Sequence, residues 1–188
     1  MAYITFIIPT LGRYSIHNTI GSLHGQSDSD WKAIAVFDNH DVTINTDDKL
    51  SAFRFDKPPG NGPGIVRNEA LPLVDTEWTG FVDDDDYLDK DYIRRLKLFG
   101  KDNDLVVFSY KDMQNGNTQP PLHFRTIVYC NVGISFAVRT RFIQDNNIKF
   151  SKGSCEDYSF IMECVNAGAK PIVTGEIRYY VGSRSGWR

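Results

Sequence analysis

The hydrophobic positions of this chain alternate between short continuous runs, typical of buried strands, and runs spaced by three or four residues, typical of helices. Residues 3–8 form an apolar run expected to be buried on both faces. Ile16, Ile20 and Leu23 then follow at helical spacing, directly after Ser15, which is a candidate N-cap. The start of the chain therefore predicts a strand followed by a helix.

The same alternation continues to the end of the chain. Further strands are predicted at 31–37, 52–55, 78–82, 105–110, 133–138 and 171–173, and further helices at 65–74, 92–99 and 156–167. Loops are predicted at 58–64 and 115–121. Because strands that alternate with helices form a parallel sheet covered on both faces, we predict a three-layer α/β/α fold with a mainly parallel central sheet.

Composition and charge narrow the class of protein. The 188 residues are 41% hydrophobic and 24% charged, as in ordinary globular domains, and no repeat or linker-like tract divides them. We expect one domain over 1–188, either alone or as the N-terminal domain of a longer polypeptide. The formal net charge of -3 gives no reason to expect nucleic acid or an anionic membrane as a partner.

The cysteines and the N-terminus bear on the compartment. Three cysteines without regular spacing are too few for a disulfide framework or a zinc site, which favours a reducing compartment. Pro9 interrupts the first apolar run after a few residues, so we predict neither a signal peptide nor a membrane span. The expected location is cytoplasmic, either free or at the cytoplasmic face of a membrane through other domains or partners.

Polar clusters follow three of the predicted strands, where open α/β sheets bind ligands. They are Thr10–Arg13, Asp38–Asn39 and the four aspartates Asp83–Asp86. Neighbouring carboxylates repel one another, and bound Mg²⁺ or Mn²⁺ compensates that repulsion. The alternative is a solvated acidic loop before the next helix, a role that suits Asp89 or Asp91 because acidic residues favour a helix N-terminus.

Other motifs exclude several classes of site. Gly60, Gly62 and Gly64 do not match GxGxxG, and the chain contains no GxxxxGK[ST], so neither a Rossmann dinucleotide site nor a P-loop is predicted. This glycine-rich loop is either a tight turn into the following helix or a ligand contact. The histidines lack HxxxH spacing and no GxSxG occurs, which argues against a histidine metal site and a triad hydrolase.

Short motifs spread over nearly the whole chain carry a family resemblance. They are, in order, segments 4–13, 22–26, 36–39, 62–68, 81–88, 155–158 and 182–185. They resemble the motifs of the inverting family 2 of nucleotide-sugar-dependent glycosyltransferases, which have the GT-A fold, and segment 81–88 resembles their DxD motif. Gly12 stands where the family usually has Asn, and segment 110–132, where acceptor recognition is expected, is brief.

The resemblance implies a metal-dependent enzyme that moves a sugar from a nucleoside-diphosphate sugar, with a UDP-sugar favoured, to a hydroxyl of a glycan or other acceptor. Asp85 would ligate Mn²⁺ or Mg²⁺, and Asp83 would assist the metal or contact the ribose. Asp38 and the Thr10–Arg13 turn would hold the nucleobase and ribose. The full set of donor-binding residues it implies is Thr10, Leu11, Arg13, Asp38, Arg67, Asp83, Asp84 and Arg184.

For catalysis, the resemblance makes Asp157 the general base that deprotonates the acceptor hydroxyl, with Glu156 as the second candidate. It also implies that Arg67 contacts the nucleobase or the phosphates of the donor, and that Arg184 neutralises the charge of the phosphates. Without the resemblance, the role of Glu156 and Asp157 as acidic residues that open a helix is favoured over catalysis by Asp157. Arg67 then has an alternative as a surface residue paired with Glu69 or Asp75.

Two other functions remain open from the sequence. A nucleotidyltransferase acting on sugar phosphates would also use paired aspartates, a metal and a nucleotide. A non-catalytic module that recognises a nucleotide sugar or glycan would show the same binding motifs without turnover. Further domains of the same polypeptide are expected partners in each case.

Overall fold

The computed structural model describes residues 2–56, 62–129 and 131–182. The strands are β1 (Ile4–Thr10), β2 (Trp31–Asp38), β3 (Leu50–Phe55), β4 (Trp78–Phe81), β5 (Tyr87–Leu88), β6 (Leu105–Asp112), β7 (Thr118–Gln119), β8 (Phe136–Arg139) and β9 (Pro171–Val181). The helices are α1 (Ile16–His24), α2 (Pro63–Ala70), α3 (Tyr92–Phe99), α4 (Thr140–Asp145) and α5 (Glu156–Asn166).

All of these strands belong to one sheet with the order β3-β2-β1-β4-β8-β6-β9-β5, and β7 pairs with β6 outside this path. In the described part of the chain β1, β2, β3, β4, β6 and β9 point in one direction, and β5, β7 and β8 run against them. The prediction of an α/β fold with a mainly parallel sheet is confirmed.

The continuous apolar runs of β1 and β2 reflect their place in the middle of the sheet. Every residue of β1 is buried, as is nearly all of β2, because helices cover both faces of a parallel sheet. The chain leaves β1 through α1 towards β2, and returns from β3 through α2 to β4 on the other side of β1. Since such crossovers are right-handed, the reversal places α1 and α2 on opposite faces.

This reversal also fixes where a ligand can bind. The crevice of an open α/β sheet lies at the carboxyl ends of the strands where the connections change direction. Here those strands are β1 and β4, which are direct neighbours. The Thr10–Arg13 turn and the aspartate run therefore meet at one edge of the sheet.

The sequence pattern failed mainly in the second half of the chain. The last strand, predicted to end at residue 173, continues to Val181, and β5, β7 and α4 were not predicted. Most residues of β9 are only half-buried and two, Glu176 and Arg178, are charged, so the strand shows no continuous apolar run. It exists because it pairs along β6 on one side and β5 on the other.

Two findings concern the compartment. Cys155 is disulfide-bonded, whereas Cys164 is a free thiol buried in the core. The cysteine count favoured a reducing compartment, and a bonded Cys155 removes that argument. Among the described residues, no helix is long and apolar enough to cross a membrane.

Candidate functional site

The aspartate run forms a tight turn at the carboxyl end of β4. The backbone N–H of Asp86 donates to the carbonyl of Asp83 at 3.1 Å. From α1, the hydroxyl of Thr19 donates to the carbonyl of Asp86 at 2.6 Å and lies 3.2 Å from that of Asp83. The sequence gave no reason to assign Thr19 to this turn, because the contact depends on how α1 packs.

Asp84 joins this turn to the turn after β1. The hydroxyl of Thr10 donates to Asp84 Oδ2 at 2.6 Å, and the backbone of Leu11 also hydrogen-bonds the carboxyl. Arg13 Nη1 lies 3.3 Å from Asp84 Oδ1 and 3.4 Å from Asp85 Oδ2. Thr10 and Asp84 are both fully buried. Their side chains hold the two turns together, which is a different role from the direct donor contact that the resemblance implies for them.

Replacing Thr10 by Val is expected to destabilise the protein by about 1–3 kcal/mol, because a buried carboxylate then loses a hydrogen-bond donor. The free energy of unfolding in urea measures this effect. Replacing the exposed Thr43 by Val is the matched control and is expected to change stability little. Equal stabilities for the two variants would contradict the structural role of Thr10.

Asp86 connects the acidic turn to the end of β9. Its carboxylate accepts a hydrogen bond from the Tyr179 hydroxyl at 2.7 Å and one from the backbone N–H of Gly182 at 2.9 Å. Burial, followed by repulsion from Asp83, raises the pKa of Asp86 to about 8. A Cβ on Gly182 would lie 1.9 Å from the carbonyl of Asp85, so only glycine fits this position. Gly182 therefore lies directly against the acidic turn.

Arg67, on α2, connects the acidic turn to the start of α5. Its Nη2 donates to Asp83, and its Nη1 donates to Glu156 Oε1 at 3.0 Å and lies 3.8 Å from Asp157 Oδ1. The guanidinium also lies over the ring of Phe150 at 5.2 Å, and the residue is 1% exposed. The surface pairing with Glu69 or Asp75 is wrong, since Arg67 is interior. Its contact with the nucleobase or phosphates stays a prediction.

The glycine-rich segment contributes to this arrangement through Gly64, in the first turn of α2. A Cβ there would lie 2.6 Å from Glu156 Oε2 and 2.8 Å from the Cβ of Phe150. Glycine is thus required for α2 and the start of α5 to approach closely enough for Arg67 to reach its carboxylates. Residues 57–61, including Gly60, lie outside the described residues.

Asp157 is a partly buried carboxyl in the first turn of α5. Burial raises its pKa to about 7, with repulsion from Asp83 and Glu156 adding to the rise and the positive charge of Arg67 opposing it. Its Oδ1 has no hydrogen-bond partner among the described residues, while its side chain is 24% exposed. Burial also raises the pKa of Glu156, but this carboxylate is hydrogen-bonded to Arg67. Of the two, Asp157 is the freer to take a proton.

Asp38 lies at the carboxyl end of β2, next to β1. Its residue is 3% exposed, its Oδ1 has no hydrogen-bond partner among the described residues, and burial raises its pKa. An unpaired buried carboxyl oxygen is costly unless a ligand completes its hydrogen bonds. Asp38 therefore lies beside the end of β1 with a carboxyl oxygen that the described residues leave without a hydrogen bond.

The residues fit a divalent cation only in part. No cluster of three or more potential ligands is formed in 2–56, 62–129 and 131–182. Mg²⁺, however, uses one or two protein carboxylates and takes its other ligands from water and phosphate. Asp85 suits that arrangement because burial and repulsion from Asp83 and Asp84 raise its pKa, which means its charge is not fully compensated.

The structure thus brings together predicted residues from the ends of β1 and β4, from α2 and from α5. Arg184, which the resemblance assigned to phosphate, lies outside the described residues. Sequence reasoning missed Thr19, Tyr179 and the close approach at Gly64. None of these has a local signal, since each is defined by a contact across the fold.

Comparisons with known proteins agree with this architecture. The family described as "Glycosyl transferase family 2" matches residues 5–164. Poly(ribitol-phosphate) beta-N-acetylglucosaminyltransferase TarS of Staphylococcus aureus (strain Mu50) is 29% identical over 66% of this chain and 24% of the relative. TarP of S. aureus (strain N315), named as the same kind of transferase, is 25% identical over 96% of this chain and 63% of the relative.

A crystal structure of S. aureus TarS 1–349 in complex with UDP-GlcNAc superposes with a TM-score of 0.78 at 23% identity, covering 98% of this chain and 59% of that chain. At that identity the likeness shows the fold alone. The chain spans less than two thirds of the length of each of these relatives. The family match covers most of the described sheet and all but the last two residues of α5, so this chain belongs to glycosyl transferase family 2.

Proposed function

We propose that this chain is the donor-binding and catalytic domain of an inverting, metal-dependent glycosyltransferase. The donor is a UDP-sugar, and the acceptor is a hydroxyl of a glycan or of a polyol-phosphate polymer. Asp157 is the general base, and the crevice between β1 and β4 receives the donor.

The observation that carries this proposal is the contact of Arg67 with both acidic motifs. One guanidinium pairs with Asp83, from the turn after β4, and with Glu156 and Asp157, at the start of α5. A candidate base is thereby held beside the turn that resembles a DxD motif. A purely structural acidic loop or a helix cap would have no need of this connection.

The base step follows from the state of Asp157. A carboxylate whose pKa is about 7 is partly deprotonated at neutral pH and still basic enough to accept a proton. It takes the proton of the acceptor hydroxyl while that oxygen forms a bond to the anomeric carbon. The bond from the anomeric carbon to the diphosphate oxygen breaks, and UDP leaves from the opposite face, so the configuration inverts.

On the donor side, Asp38 offers its unpaired oxygen to the nucleoside, and the Thr10–Arg13 turn forms the adjacent wall. Asp85, with Asp83, would hold Mn²⁺ or Mg²⁺. When bound, such an ion acts as a Lewis acid that stabilises negative charge on the departing diphosphate. Arg13 and Arg67 keep the neighbouring carboxylates in place.

The relatives support the choice of donor and acceptor. TarS was crystallised in complex with UDP-GlcNAc, and the names of TarS and TarP specify a poly(ribitol-phosphate) acceptor. A poly(ribitol-phosphate) beta-glucosyltransferase of Bacillus spizizenii also matches, at 26% identity over 63% of this chain. These proteins share an acceptor class but transfer different sugars, so the donor sugar of this chain is best tested with a panel.

Calorimetric titration of UDP, UDP-GlcNAc and UDP-glucose with and without Mn²⁺ tests the proposal. We expect tighter binding when Mn²⁺ is present, because Asp85 would hold the ion and the ion would supply positive charge to the diphosphate. In an Asp85→Asn variant this metal-dependent gain in affinity is expected to disappear. Asp91→Asn is the matched control, since Asp91 lies outside the turn at the start of α3, and it is expected to retain the gain.

Two results would contradict the proposal. Affinity for UDP that Mn²⁺ leaves unchanged in the unmodified protein would remove the metal from the mechanism. Preferential binding of UTP together with release of pyrophosphate from UTP and a sugar phosphate would identify a nucleotidyltransferase instead.

A further inference from the structure

The segment between β6 and β8 exposes an unusual amount of apolar surface. Of the large hydrophobic side chains that are exposed in the described residues, half belong to residues 113–129: Met113, Leu122, Val128 and Tyr129. Tyr129 is 70% exposed. The segment therefore concentrates exposed apolar side chains along the chain.

The topology places this segment at the same edge of the sheet as the acidic turn. β6 points in the same direction as β4, so its carboxyl end, at Asp112, lies at the edge where the aspartate run begins. The backbone N–H of Met113 donates to the carbonyl of Val181 at 3.0 Å, immediately before Gly182, which is bonded to Asp86. The exposed segment therefore starts beside the candidate active site.

Its far end reaches the first turn of α5, the turn that carries Asp157. The rings of Tyr129 and Tyr158 meet edge to face with their centroids 5.1 Å apart. Tyr158 directly follows Asp157 in the first turn of α5, and it is half-buried against the hydrophobic core. One ring is thus packed against the core, and it contacts a second ring that stands in solvent beside the first turn of α5.

We propose that Tyr129, supported by Tyr158, is the acceptor subsite: it binds the carbon face of the sugar or polyol unit whose hydroxyl is presented to Asp157. This inference rests on the proposed function. An acceptor hydroxyl must come within about 3 Å of its base, so the rest of that unit lies against the surface beside Asp157. A tyrosine ring offers that surface apolar area and a polar edge at little cost in side-chain entropy.

The chemistry of the Tyr129 ring determines which acceptors the subsite selects. A ring face packs against C–H groups and is indifferent to their exact stereochemistry, so it accepts a linear polyol as well as a pyranose. It makes no charged contact, and it therefore recognises the carbon chain of a polyol-phosphate acceptor and not its phosphates. Specificity for the attacked hydroxyl then comes from its distance to Asp157.

The test measures transfer from UDP-GlcNAc, or whichever UDP-sugar the titration selects, to poly(ribitol phosphate). Replacing Tyr129 by Ala is expected to raise KM for the acceptor by about threefold to tenfold, the range of an aromatic contact. Affinity for UDP is expected to stay unchanged. Tyr129→Phe keeps the ring and is expected to retain the acceptor KM. Leu98→Ala removes an equally accessible apolar side chain on α3 and is expected to have no effect.

The outcomes separate this inference from the function on which it rests. If the unmodified protein binds UDP and transfers sugar, an unchanged acceptor KM in Tyr129→Ala overturns the subsite and leaves the proposed function standing. If that variant loses stability in the full-length polypeptide but keeps its acceptor KM, another part of the chain covers Tyr129 and the subsite is again overturned. Failure of the unmodified protein to bind UDP overturns both.

Discussion

An Asp157→Asn variant is expected to bind UDP as tightly as the unmodified protein while its kcat falls by about 10²- to 10⁴-fold. That range is the usual contribution of a general base, and Asn keeps the size of the side chain while losing its ability to accept the proton. Calorimetry measures binding, and release of UDP in the presence of acceptor measures kcat. Because the change is nearly isosteric, a loss of binding in the same variant would indicate a structural role.

The pH profile gives an independent measurement of the same residue. The base acts in its deprotonated form, so kcat/KM is expected to fall as the pH drops through about 7 and to level off above that value. The inflection is expected to be absent from Asp157→Asn. Glu156→Gln is the matched control, because its carboxylate is already hydrogen-bonded to Arg67 and it should retain the inflection. An active Asp157→Asn enzyme with an unaltered profile would exclude Asp157 as the base.

An Arg67→Met variant is expected to lose about 3–5 kcal/mol of stability, the cost of leaving buried charges without their partner. Methionine fills the space of the arginine stem, so the effect reports the guanidinium and not a cavity. Asp83, Glu156 and Asp157 then face one another without a compensating charge. Chemical denaturation followed by circular dichroism measures the free energy of unfolding.

This loss of stability is also expected to depend on pH. Arg67 lowers the pKa of Asp157, so its removal raises that pKa further above the value in the unfolded chain. A raised pKa favours the folded state at low pH and loses that benefit as the pH rises through it, so the penalty should be larger at pH 8 than at pH 6. Arg54→Met is the control, because Arg54 pairs with Asp41 and Asp56 at the surface, and little change is expected. Equal losses in both variants would contradict the role of Arg67.

The elements with a strong local pattern were predicted well. β1, β2 and α3 were assigned within two residues, because continuous apolar runs or helical spacing are properties of the residues themselves. The location of the ligand crevice also followed, since a parallel sheet binds at the carboxyl ends of its strands. By contrast, the length of β9 was underestimated because the strand forms by pairing with β6 and β5, which no local pattern records.

The candidate site shows the same difference between properties set by neighbouring residues and properties set by contacts across the fold. The sequence by itself determined that four aspartates follow a buried strand and that Glu156 and Asp157 open a helix, because both facts depend only on neighbouring residues. Only the tertiary structure decided that Arg67 connects them, across separations of 16 and 89 positions. It also decided that Asp84 is buried against Thr10, while one oxygen of Asp157 has no hydrogen bond from the described residues. Strand order and helix packing set which charges share a low-dielectric interior, and that proximity fixes their protonation and hence their chemistry.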